Sequence, residues 1–174
     1  MKLPVALAIV VGVIGAILTY LYVGPLGGLG LFVPATFLGA ACFFAAGGDV
    51  AGLKKSLLAS VWGVIWGTIA LIGVGLVSGP ILVGIVVGAA TGLLILGGLI
   101  PLFDFIPGAV VAFATTAGFG LLTKGSGLDF SLPSGPFTVM LISFVIGGLY
   151  GYVSGILVGK LVGSASAPSK ATAA

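Results

Sequence analysis

Residues 32–48 read FVPATFLGAACFFAAGG, and residues 105–120 read FIPGAVVAFATTAGFG. Each begins with an aromatic, an aliphatic and a proline, then continues in small residues. Proline is tolerated in the first turn of a helix, where its missing N–H would have no intrahelical partner anyway. Pro34 and Pro107 therefore mark two helix starts. The apolar segments at these starts, 30–46 and 108–123, are short for a bilayer crossing, which takes at least about 17 residues.

The rest of the chain says what solvent these helices meet. Of its 174 residues 60% are hydrophobic and 5% charged, and the mean hydropathy is +1.42. A water-soluble domain could not cover its outside with so few polar residues. The chain reads as one all-α, polytopic membrane domain over residues 1–163, surrounded by lipid, with 164–174 as a disordered cytoplasmic tail.

Outward from the two proline-led stretches, longer apolar runs cover 3–23, 56–78, 81–100 and 138–163. Gly79-Pro80 and Pro101 separate the middle ones. The first run is too long for the apolar core of a signal peptide, so it is expected to stay as a helix. Six segments place both termini on one side. Lys2, Lys54, Lys55, Lys160 and Lys170 fall on that side and only Lys124 on the other. The positive-inside rule makes the termini cytoplasmic.

The two short segments repeat in register. Phe32 aligns with Phe105, Pro34 with Pro107, Ala41 with Ala114 and Gly47 with Gly120. Before them, VGVIGA at 11–16 resembles VGIVVGA at 83–89. After them, Trp62-Gly63 and Trp66-Gly67 align with Ile146-Gly147 and Tyr150-Gly151. This order predicts two repeats, 3–78 and 81–163. Three segments in each make the second enter from the opposite face, an inverted repeat. Two readings of the short segments fit: plain spans with proline at the first turn, or half-helices whose free N–H groups line a wet path.

The segments FLGAACFFAAGG, GLKKSLLAS, FIPGAVVAFATTAGFG and GGLYGYVSG resemble the YcdZ-like family of small bacterial inner-membrane proteins, a domain of unknown function. The resemblance runs over nearly the whole chain and implies a location in the bacterial inner membrane. It brings no catalytic or binding residue.

The residue types narrow the function further. The chain has no His, Glu, Arg, Asn or Gln, and its acids are Asp49, Asp104 and Asp129. The usual general base and the usual metal ligand are both missing, so neither an enzyme nor a metal or cofactor site is expected. Cys42 is the single cysteine. A net charge of +3 carried by scattered lysines is no footprint for nucleic acid.

What remains is a passive channel or facilitator for a small, mostly uncharged solute such as a urea, an amide or an alcohol. The alternative is a membrane scaffold or accessory subunit without a pore. On the transport reading Phe32, Pro34, Thr36, Phe105, Pro107, Thr115, Thr116 and Trp66 are candidates to line the path. Asp49 and Asp104 are candidates for its entrance. Rows of glycine four residues apart, Gly84, Gly88 and Gly92 and then Gly147, Gly151 and Gly155, are expected to pack helices closely inside the bundle. A compact channel of this size is also expected to form a homo-oligomer.

Overall fold

A computed structural model of the chain describes residues 1–165, so the part of the expected tail from 166 onward lies outside the described residues. Among the described residues there are six α-helices and no strand. They are α1 Leu3–Val23, α2 Val33–Ala45, α3 Val50–Leu76, α4 Pro80–Leu96, α5 Ile106–Thr123 and α6 Pro136–Ala165. Five are long and apolar enough to cross a membrane, and α2 is the shorter apolar helix. Its 13 residues extend for about 20 Å, against about 30 Å of hydrocarbon.

Helix starts follow the local chemistry. Five helices carry a proline in their first turn: Pro4, Pro34, Pro80, Pro107 and Pro136. The exception is α3, which begins well before the expected residue 56. Its start is set by Asp49, whose carboxylate accepts the Gly52 N–H at 2.7 Å. That is an N-cap bond, favoured again by the positive end of the helix dipole. Asp49 is thus a structural cap of α3, not a charge left at the end of the second segment.

The packing is two layers deep. Helices α3 and α6 lie against each other, with α4 packed on α3 and α1 on α6. The most extensive contacts join α5 to α3 and α2 to α6, and α2 also touches α5. Glycine makes both large contacts close. A methyl group at Gly63 would collide with the Ala109 carbonyl, and one at Gly67 would lie 2.7 Å from Thr116 Cβ. On the other side, a methyl at Gly147 would collide with the Thr36 carbonyl, and one at Gly151 would lie 2.7 Å from the Phe43 ring. Lipid gives apolar side chains little reason to leave it. Close backbone approach, with its dispersion and Cα–H···O contacts, is then what holds such helices together.

The connection after α5 folds back over one end of the bundle. Gly30, with φ +65°, lies against Pro133, and Gly127 lies against the Thr68–Ile72 turn of α3. In the same connection, hydrogen bonds from Ser131 and Ser134 hold the Asp129 carboxyl below its ordinary range.

Candidate functional site

The two proline-led starts lie at opposite ends of an antiparallel pair. The Phe32 ring, at the start of α2, meets the Phe119 ring near the end of α5, centroids 5.2 Å apart. At the other end Phe105 and Pro107 meet Cys42 and Ala45 around a shallow pocket of about 160 Å³, completed by Leu38, Ala41 and Val111. Pro34 and Pro107 are both exposed on the outer side of this pair.

The start of α2 is bonded to the rest of the protein. The Phe32 N–H, which has no intrahelical partner, donates to Ser143 Oγ on α6 at 2.9 Å. One turn further on, the Thr36 hydroxyl lies 3.2 Å from the Ser143 carbonyl, which can only accept, and 3.1 Å from the Tyr22 hydroxyl. With one proton to give, Thr36 donates to that carbonyl and receives from Tyr22. Thr36 is 1% exposed and Tyr22 is buried too. Ser143 therefore satisfies the Phe32 N–H from within the protein, and Tyr22 and the Ser143 carbonyl satisfy the Thr36 hydroxyl. The available signal was a serine inside the apolar run of α6, a signal that Ser154 shares.

The other threonines turn inward on their own helices. Thr115 donates to the Val111 carbonyl and Thr116 to the Ala112 carbonyl, both at 2.7 Å. Thr68 and Thr91 do the same one turn back. This back-bonding satisfies each hydroxyl proton without a solute. Thr116 is fully buried between α5 and α3, whereas Thr115 stays half-buried. Of the eight residues proposed to line a path, Thr36 and Thr116 thus sit in helix contacts within the chain. Pro34, Pro107, Thr115 and the two phenylalanines keep some exposure. Ala35, one residue before Thr36, is wholly buried beside Val64, Ala112 and Phe144.

Trp66 packs with Trp62 against a cluster formed by α3, α4 and α5, the two indoles edge to face at 5.7 Å. Trp62 donates to the Leu94 carbonyl at 3.0 Å and stacks on Phe103 at 4.5 Å. The Trp66 indole N–H is buried with no partner among the described residues. Asp104, the second entrance candidate, pairs with Lys55 at 3.1 Å, both side chains 40–50% open to solvent. Such an exposed pair contributes at most about 1 kcal/mol.

The glycine rows divide. Gly147 and Gly151 pack against α2 as expected, and Gly155 lies in ordinary contact with Phe43. The α4 row departs from expectation. Gly84, Gly88 and Gly92 have nothing within 4 Å of where a side chain would begin, and all three are exposed. Only the opposite face of α4, with Ala90 and Leu94, is buried against the bundle. The row is therefore an outer surface of the chain and not an internal seam.

Comparison with known proteins adds one relationship. A family model described as a protein of unknown function (DUF1097) matches residues 8–159. No curated protein and no solved structure matches. The match spans all but the first turns of α1 and the end of α6, and the chain belongs to the DUF1097 family.

Proposed function

We propose that this chain is a passive channel or facilitator for a small uncharged solute, urea-, amide- or alcohol-like, built from two inverted three-helix repeats. The observation that carries the reading is an exchange rule in the packing. Swapping α1 with α4, α2 with α5 and α3 with α6 turns each large helix contact into another of similar extent. The contacts correspond residue by residue. Gly63 rests on Ala109 as Gly147 rests on Thr36, and Gly67 rests on Thr116 as Gly151 rests on Phe43. These are positions paired in the sequence repeat. With three segments in each half, the exchange is an inversion across the membrane. Transporters commonly form their solute path at the interface of such repeats.

In this reading α2 makes the sixth crossing with the help of the residues that flank it, 24–32 and 46–49. The α2–α5 pair is the inter-repeat face. It exposes small residues, Ala41, Ala45 and Ala114, beside Pro34 and Pro107. The outer side of α6 exposes Val145, Leu149, Val153 and Leu157. Lipid suits the second surface and a second copy suits the first. A homo-oligomer would then close the path around Thr115. Catalysis is no part of the reading, because the chain lacks a histidine or glutamate to move a proton.

Flux measurements test it. Purified protein alone in liposomes should equilibrate small neutral solutes in both directions, with initial rates unchanged when proton and sodium gradients are collapsed. A gradient requirement would mean a coupling site. Rates equal to those of protein-free liposomes for every solute would support the scaffold reading, which the burial and internal bonding of Thr36 and Thr116 favour.

The YcdZ-like resemblance and the lysine distribution support a bacterial inner-membrane location with both termini cytoplasmic. A phosphatase fused after Ala174 should then be inactive, and one inserted near Ser126 active. The opposite pattern would reverse the orientation.

A further inference from the structure

Beside the first turns of α3, the 3-10 turn Pro101–Phe103 closes a pocket of about 270 Å³. Its lining is two-part. Lys54, Lys55 and Asp104 supply charge, and Leu58, Pro101 and Leu102 supply apolar surface. The Lys55 ammonium is engaged by Asp104, while Lys54 is exposed and has no acidic partner among the described residues. Two lysines and one aspartate leave one positive charge. The surface around the pocket is greasy as well: Leu99 is 82% exposed, and Ile100 and Leu102 about half.

We propose that this pocket binds one anionic phospholipid, its phosphate at Lys54 and the upper part of an acyl chain along Leu58 and Leu102. A phosphodiester carries the one negative charge that the lysine pair leaves unmatched. A free phosphate ion would gain nothing from the leucines. A neutral choline lipid would bring a second cation toward Lys54. Basic pockets at the cytoplasmic ends of membrane helices suit anionic headgroups, each lysine near the surface being worth about fivefold in binding. The site stands independently of whether the chain conducts a solute.

Trp62 is a built-in reporter. It lies one helical turn beyond Leu58 and stacks on Phe103 beside the pocket. A Trp66→Phe background leaves it as the sole tryptophan, since the chain has two. In bilayers holding the full chain, phosphatidylglycerol with brominated acyl chains should quench Trp62 with an apparent affinity about fivefold above that of brominated phosphatidylcholine. Lys54→Gln should remove that preference. Lys2→Gln, the same charge change at the start of α1, should keep it, and inorganic phosphate in the buffer should not relieve the quenching. Equal quenching by both lipids would overturn the site, as would a preference that survives Lys54→Gln. Equal losses in both lysine variants would reduce the effect to diffuse surface charge. Relief by phosphate would make it a site for a free anion.

Discussion

Leucine at Gly63 or at Gly147 is expected to eliminate the folded protein, while leucine at Gly88 leaves it intact. At the first two positions even a methyl group would meet a carbonyl oxygen of the facing helix. A backbone atom cannot rotate away as a side chain can. The helices must separate, and the close contacts of the whole α3–α5 or α2–α6 pair are lost with them. Overpacking typically costs about 1–3 kcal/mol. Here the added bulk faces rigid backbone in a fold held by close approach, so the upper end of that range or more is expected. Gly88 has open space around it, and leucine there adds only outward apolar surface. Expression in membranes followed by size-exclusion chromatography in mild detergent checks the contrast. A monodisperse Gly63→Leu variant at wild-type yield would mean that α3 and α5 are not in close contact.

Ser143 and Ser154 should respond to alanine in opposite directions, although both are fully buried serines of α6. Ser143→Ala strips the acceptor from the Phe32 N–H. Neither lipid nor the helix itself can replace it, so a cost of about 1–3 kcal/mol is expected. Ser154 Oγ has no hydrogen-bond partner among the described residues. Ser154→Ala removes an unpaired polar group at almost no change in volume, and the protein should be unchanged or more stable. Thermal unfolding of both variants in one detergent separates them. Equal destabilisation would mean that the Ser143 bond contributes nothing particular.

Much of this architecture was legible before any fold was considered. Pro34 and Pro107 marked helix starts because a missing N–H acts within one turn. The Trp62-Gly63 and Ile146-Gly147 alignment pairs two glycines that both lie against a carbonyl of the facing helix. Asp49 was misjudged because the start of α3 was set six residues too late, at 56 instead of Val50. A cap can be recognised only when the helix boundary is right. The bonding of the threonines was hidden for another reason. A hydroxyl in an apolar helix looks available, yet it can bond to the carbonyl one turn back, and spacing does not distinguish the two states.

The sequence by itself determined the solvent, the helical class and most helix starts. Composition decides whether a chain can cover itself in water, and capping acts over three or four residues. Only the tertiary structure decided which surfaces are inside. The rows Gly84, Gly88, Gly92 and Gly147, Gly151, Gly155 have the same spacing. One faces outward and the other packs on α2, because a bare ridge fits lipid or a helix equally and the neighbour across it is chosen by the whole bundle. The same holds for the bond from Phe32 to Ser143, whose partners are 111 residues apart in the chain. No local rule pairs them; the packing of α2 against α6 does.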